Sequence, residues 1–267
     1  MKILVTNDDG IASPGLHALA AAMRRLGDVW VVAPDRERTA VGHALTLHKP
    51  LRLTRIGRQV FSVNGTPSDC VTLAVKHLMR ASPALVISGI NRGVNIGDDV
   101  TYSGTVSAAL EGTILGVPSI AVSQEGLDVF RFGAAAVYAR RVAKLVLQRG
   151  LPHETLLNVN VPDRPAREIA GVRVTSLSQR RFDNPIIEKE DPHGRKYYWI
   201  AGTRTSWERG KDSDHEALRQ GFVSITPIHL DVTNHAMLEQ LRSWTGMLDN
   251  PRRSRVKGAT FRSRKRK

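Results

Sequence analysis

The sequence predicts an α/β fold: a Rossmann-like, mostly parallel sheet with flanking helices, plus a smaller β-hairpin-rich C-terminal appendage. Three observations predict it. Apolar runs of strand length alternate with apolar residues at helical spacing through the first half of the chain. Three of those runs end in polar, glycine-containing loops, as the carboxyl ends of parallel strands do when they carry a site. The 267 residues suffice for a large core in one elaborated domain.

Lys2–Thr6 reads as the first strand and runs into Asn7-Asp8-Asp9-Gly10. Behind Pro14, the residues Leu16, Leu19, Ala20, Met23 and Leu26 recur at helical spacing, and 28–33 form the second strand. Residues 44–63 alternate in the β manner, with Leu45, Leu47, Leu51 and Leu53 before a turn at Gly57, and predict an inserted hairpin. A helix over 67–79 opens at Thr66, followed by a buried strand over 84–88, a helix over 105–115 and a strand over 118–122. These make four consecutive βα units. A long helix over 130–148 leads to the strand 156–161, beyond which only short strands over 172–174, 197–200 and 222–225 remain. The predicted organisation is a core over 1–164 with its hairpin near 44–63, a β-rich appendage over 165–230 returning to the core, a helix within 231–250, and a basic disordered tail over 251–267.

The formal charge of +14 points first to nucleic acid, but it is unevenly placed. Nine Lys or Arg residues, and no acid, fall within 252–267, and removing them leaves the body at +5. The tail therefore reads as a solubilising segment with non-specific RNA contact as its partner class. The single cysteine, Cys70, sits in an apolar helical stretch and reads as a buried thiol, which fits a reducing cytoplasm. The amino terminus begins directly with a strand, and no apolar run approaches the roughly 18 residues a membrane span needs, so no membrane partner is expected. There is no Walker A loop, no Cys/His spacing for zinc and no complete GxGxxG, which argues against P-loop, zinc-finger and nicotinamide classes.

Chemistry concentrates in three loops, at 7–13, 34–43 and 89–102, which the parallel topology brings to one edge. Asp8 and Asp9 come from the first, Thr39 from the second, and Asn91, Asn95, Asp98 and Asp99 from the third. Asn, Asp and Gly are also the commonest turn formers, so the first loop alone fits a plain turn. Taken together, the carboxylate, hydroxyl and amide oxygens are hard ligands that favour Mg²⁺ or Mn²⁺. The stretch Tyr102-Ser103-Gly104-Thr105 then opens a helix whose free N–H groups face the same edge and suit a phosphate, although Ser103 alone is an ordinary N-cap.

These motifs jointly resemble the SurE-type (stationary-phase survival protein) family of metal-dependent nucleotidases. The resemblance rests on Asn7-Asp8-Asp9-Gly10, Ala33-Pro34-Asp35-Arg36 with Ala40-Val41-Gly42-His43, Gly65-Thr66-Pro67-Ser68-Asp69-Cys70, and the run from Ser88 through Asp99 to Thr105. Leu157-Asn158-Val159-Asn160-Val161-Pro162 and Gly221-Phe222-Val223-Ser224-Ile225-Thr226-Pro227 extend it to roughly residues 1–230.

The resemblance implies one divalent cation per subunit, Mg²⁺ or Mn²⁺, held by Asp8, Asp9, the hydroxyl of Thr39 and Asn91. It implies Asn95, Ser103, Gly104 and Thr105 as the phosphate cradle, with Asp8 and Asp9 as the catalytic pair. The family pattern has serine where this chain has Thr39, which keeps the oxygen but adds a methyl group and a stiffer χ1. The expected reaction is hydrolysis of nucleoside 5′- and 3′-monophosphates, with short polyphosphate as a further substrate, in a homodimer or homotetramer built through the hairpins. Rival readings are an aspartyl-phosphate mechanism, a non-catalytic nucleotide sensor, and an RNA-associated protein acting through the tail.

Overall fold

Nine strands lie edge to edge in the order β3-β4-β2-β1-β5-β6-β7-β13-β8, in a computed structural model that describes residues 1–126, 130–182, 186–200, 205–207, 210–245 and 248. In chain order its elements begin with β1 (Lys2–Thr6), α1 (Pro14–Met23), β2 (Asp28–Pro34), β3 (Leu53–Gly57), β4 (Val60–Val63) and α2 (Pro67–Leu73). They continue with β5 (Leu85–Arg92), α3 (Gly104–Ile114), β6 (Ser119–Gln124), α4 (Gly133–Arg149), β7 (Thr155–Val161) and β8 (Gly171–Val174). Next come β9 (Arg180–Phe182), β10 (Ile186–Glu190), β11 (Lys196–Ile200), β12 (Thr205–Trp207), α5 (Asp214–Arg219) and β13 (Phe222–His229). Residues Met1–Leu230 form one compact unit and Asp231–Lys267 a second, whose described helix is α6 (His235–Arg242). The basic segment 251–267 lies outside the described residues.

From β4 through β7 every neighbouring pair is parallel, while β3 and β13 run antiparallel to β4 and β7. The Rossmann-like, mostly parallel sheet read from the sequence is present. So is a separate antiparallel hairpin towards the C-terminus, where β10 pairs with β11 alone. The short strands at 171–174 and 222–229 pair with each other and, through β13, with β7.

Two-residue periodicity divides the core. On one face Ile3, Val5, Val29 and Val31 pack with Leu16, Leu19 and Met23 of α1 and with Ala135, Val142 and Val146 of α4. On the other face Leu4, Val32 and Val86 meet Cys70 and Val71 of α2 and Ala108 of α3. Strands buried on both faces need continuous apolar runs, which is why Ile3-Leu4-Val5 and Leu85-Val86-Ile87 carry no polar residue. Full burial of each such side chain contributes roughly 1.5–3 kcal/mol.

The helix over 67–79 is α2 followed by one π-helical stretch, Ala74–Leu78. Its start is a capping box: the Thr66 hydroxyl accepts from Asp69 N–H, and the Asp69 carboxylate accepts from Thr66 N–H at 2.8 Å. The expected hairpin over 44–63 forms only over 53–63. Residues 44–52 form no strand, because the Thr46 N–H and hydroxyl are both given to the Asp69 carboxylate, at 2.8 and 2.6 Å, and Pro50 has no N–H to give. Leu45 and Leu47, which produced the alternation, are exposed.

Candidate active site

Strand β1 lies between β2 on one side and β5 on the other, so the chain reverses direction of winding there and the loops leaving β1 and β5 part. Such a switch point leaves a crevice at the carboxyl ends of the strands. A cavity of about 530 Å³ occupies it, lined among others by Asp8, Asp9, Thr39, Asn91, Asn95 and Ser103. Thus the cation ligands implied by the resemblance, and two of the four residues of the implied phosphate cradle, line one space. Gly104 and Thr105 stand directly behind Ser103 at the start of α3; Asp99 also lines the cavity, whereas Asp98 is not among its lining residues.

The first loop is shaped by its own side chains. Asn7 Nδ2 donates to Gly10 O at 3.0 Å, and Gly10 sits at φ +94° with the Arg36 backbone 2.9 Å from where a Cβ would stand. Only glycine meets both demands without strain. The turn pushes Asp8 and Asp9 outward from β1 as adjacent carboxylates. Asp8 is buried, and that burial raises its pKa to about 6 even though the Thr105 hydroxyl donates to it; the Asp9 charge adds to the rise. Burial likewise raises Asp9, opposed chiefly by the Arg92 charge.

Asp9 Oδ2 is a buried oxygen with no hydrogen-bond partner among the described residues. A lone buried carboxylate oxygen is costly unless something positive completes it. The donor set around it fits a hard divalent cation: two carboxylates, with neutral oxygens from Asn91 and Thr39 on the same cavity wall. Asn91 Nδ2 donates to Gly93 O at 2.9 Å, so the amide presents its oxygen at the other end. The Thr39 hydroxyl donates to Glu37 Oε1 at 2.6 Å and retains its lone pairs. Among the described residues no three or more His, Cys, Asp or Glu side chains are grouped to hold a metal, so a cation here would draw part of its shell from the neutral oxygens of Asn91 and Thr39.

Helix α3 meets this pair end-on. Ser103 caps it, accepting from Val106 N–H at 3.1 Å, and the N–H groups of Gly104 and Thr105 fall in the first turn, which has no helical acceptors. A Cβ on Gly104 would stand 2.8 Å from Asp8 Cβ, so glycine is what lets the helix start touch the carboxylate. The Thr105 hydroxyl is committed to Asp8 and its backbone N–H also turns to that carboxylate, so Ser103 Oγ and the Gly104 N–H are the groups at this helix start left to face an anion.

Several residues that hold this arrangement had no role in the reading from sequence, some of them quoted there only as parts of the resembling motifs and Ser123, Glu111 and Asp214 not at all. Asn158 and Asn160 of β7 both donate to Asn95 O, at 2.8 and 3.0 Å, and Asn160 Oδ1 accepts from Asn95 N–H at 2.8 Å. Asn95 Nδ2 in turn donates to Ser123 Oγ at 2.8 Å. The signal was present as two asparagines two apart on one face of a buried strand, a costly placement unless they bind something. Asp214 accepts from Gly97 N–H at 2.9 Å and closes the same loop from the far end of the sequence. His43 Nε2 lies 2.9 Å from Glu111 Oε2; that contact is the main reason Glu111 has a lowered pKa, and it ties the Thr39 loop to α3. Arg92 Nε lies 3.3 Å from Asp9 Oδ1, a pairing no spacing rule announces.

Comparison with known proteins places these features in a family setting. The family model described as Survival protein SurE matches residues 3–184. A protein named 5′-nucleotidase SurE from Geobacter sulfurreducens is 52% identical over 260 residues, covering 97% of this chain and 99% of that protein. Another of the same name, from Citrifermentans bemidjiense, is 54% identical over 245 residues, covering 91% and 99%. Among solved structures, the SurE protein from Aquifex aeolicus matches with a TM-score of 0.84 at 43% identity, covering 91% of this chain and 99% of that one.

Proposed function

The chain belongs to the survival protein SurE family, and from that premise we propose that it is a divalent-cation-dependent 5′-nucleotidase, releasing inorganic phosphate from nucleoside 5′-monophosphates. The observation that carries the reading is the junction of the Asp8–Asp9 pair, with its unpartnered buried oxygen, and the start of α3. One half suits a cation and the other a phosphate, and a phosphate monoester bound to a cation needs both.

In this reading Asp8, Asp9, Asn91 and the Thr39 hydroxyl hold the cation, which when bound supplies Lewis-acid polarisation of the phosphoryl group and a lowered water pKa. Asp8 and Asp9 supply charge, and either orients the attacking water. Ser103 and the Gly104 N–H stabilise negative charge on the equatorial phosphoryl oxygens, with the Thr105 N–H shared between Asp8 and the phosphate and Asn95 facing them from the clamped loop. Thr105 also fixes the Asp8 rotamer. Val94, Tyr102 and Phe130 complete the wall with apolar surface for the nucleoside. Hydrolysis of 3′-monophosphates and short polyphosphate extends the proposal. The cation is Mg²⁺ or Mn²⁺.

Assembly as a homodimer or homotetramer is supported by the β10–β11 hairpin, where Ile186, Tyr198, Trp199 and Ile200 are all exposed. A cytoplasmic setting is supported by the buried free thiol of Cys70. Among the described residues no helix is long and apolar enough to cross a membrane. Non-specific RNA contact is assigned to the nine basic residues of the tail.

The deciding test is phosphate release from AMP, GMP, CMP and UMP by protein stripped with EDTA and then given Mn²⁺ or Mg²⁺. Release that appears only with the cation supports the enzyme. Tight nucleotide binding without release under every cation would make the protein a sensor.

A further inference from the structure

Arg92 is the sole cationic side chain among the described residues lining the cavity, against the four carboxylates of Asp8, Asp9, Glu37 and Asp99. Its backbone is fixed: Asn91 and Arg92 pair with Ser123 and Gln124 of β6, and Gly93 N–H donates to Gln124 O at 2.9 Å. Only the side chain is at liberty to move. It spans two acids, with Nε 3.3 Å from Asp9 Oδ1 and Nη2 3.4 Å from Glu37 Oε2. Charge-assisted bonds of good geometry run at about 2.7–2.9 Å, so both contacts are loose. The Arg92 side chain is also 46% exposed, where an ion pair holds weakly.

The guanidinium therefore does by half what a cation would do fully: it sits against one oxygen of Asp9 while the other oxygen has no partner. With a divalent cation held by Asp8 and Asp9, that neutralisation would no longer fall to Arg92. The guanidinium, freed from Asp9, would then stand in a cavity that Ser103, the cap of α3, also lines, and its planar fork matches phosphate oxygens better than a single carboxylate oxygen. We propose that Arg92 is a phosphoryl-binding residue, held in reserve on Asp9 and Glu37 and released towards the phosphate of substrate and product when a divalent cation occupies Asp9. The proposal rests on the cation reading given above. It gives Arg92 two effects of opposite sign, because the side chain competes with the cation for Asp9 and cooperates with it for phosphate.

The test uses the full-length chain and two probes, Mn²⁺ alone and then inorganic phosphate at saturating Mn²⁺, each titrated calorimetrically. Arg92→Ala should bind Mn²⁺ about two- to fivefold more tightly than the parent, as loss of a weak competing pair requires. The same variant should bind phosphate about 10- to 100-fold more weakly, and its KM for AMP should rise accordingly. Arg92→Lys keeps the charge without the fork and should recover part of the phosphate affinity. Phosphate affinity within twofold of the parent in Arg92→Ala overturns the proposal, as does weaker Mn²⁺ binding, which would make Arg92 a support for the cation site. A parent that binds no Mn²⁺ removes the cation reading and this proposal with it. A parent that binds Mn²⁺ normally, beside an Arg92→Ala that binds phosphate normally, removes this proposal alone.

Discussion

Two regions of the molecule carry acidic residues next to a helix start, and they are finished in opposite ways. At the start of α2, Asp69 is buried and accepts three donors: Thr46 N–H, the Thr46 hydroxyl and Thr66 N–H. At the start of α3, Asp8 has the Thr105 hydroxyl, Asp9 has a loose arginine, and Asp9 Oδ2 has nothing. The first carboxylate is satisfied by the chain and does structural work. The second pair is left incomplete at a cost in burial, which is the signature of groups kept for a ligand.

Removing each carboxylate in turn separates the two regions most strongly. Asp9→Asn should lower turnover by several orders of magnitude while moving Tm little, since a charged ligand becomes neutral at a loop end that packs little core. Asp69→Ala should do the reverse, costing roughly 1–3 kcal/mol of stability through orphaned N–H groups and a lost cap, with turnover per folded molecule nearly kept. Denaturant titration beside steady-state kinetics would separate them. Loss of stability in Asp9→Asn with activity retained would invert the assignment.

Ser103→Ala probes the anion half. It deletes one donor while the N–H groups of Gly104 and Thr105 remain, so kcat/KM for AMP should fall by at most about 10²- to 10³-fold. Unchanged kinetics would confine Ser103 to capping α3. At Thr39, Thr39→Val removes the oxygen at nearly constant volume and should weaken Mn²⁺ binding, whereas Thr39→Ser should preserve it or improve it modestly. Equal affinity in all three proteins would take Thr39 out of the cation site.

Asp8 also links protonation to folding. The folded pKa of Asp8, about 6, exceeds its ordinary value of 3.8 because burial penalises the charged form. Its contribution to stability is therefore full below pH 3.8 and lost as pH rises through about 6. In metal-free protein Asp8→Asn should gain Tm relative to the parent across that window, on the order of several degrees, and saturating Mn²⁺ should raise the parent's Tm most above pH 6. Thermal melts at pH 4, 5, 6 and 7 would show it. A Tm difference that does not vary with pH would remove Asp8 as its source. Deleting 251–267 should have the smallest effect on catalysis, because exposed charges are screened beyond roughly 8 Å at physiological salt, while the salt-dependent RNA affinity should fall.

What the sequence made legible follows from range. Apolar runs such as Leu85-Val86-Ile87, the helix starts at Thr66 and Ser103, and the strand-to-loop junction at Asp8 are local patterns, and each recurs in the fold. Residues 44–52 misled because alternation reports a potential strand, while the acceptor that claims Thr46 lies 23 residues away. The supports of the site are longer in range still: Asn95 to Asn160 across 65 residues, Gly97 to Asp214 across 117, Asp9 to Arg92 across 83. No periodicity encodes such pairs. Residue type supplied the candidate ligands; topology decided that Thr105 would spend its hydroxyl on Asp8 instead of on a phosphate.

The proposed cation site is the Asp8–Asp9 pair facing the start of α3. Anomalous diffraction at the manganese edge, from crystals grown with Mn²⁺ and inorganic phosphate, tests it directly. One strong peak per chain is expected between the two carboxylates, within coordination distance of Asn91, with phosphate density lying between it and Ser103. A fully occupied peak elsewhere in the chain, or no peak at a Mn²⁺ concentration that supports hydrolysis, would contradict it.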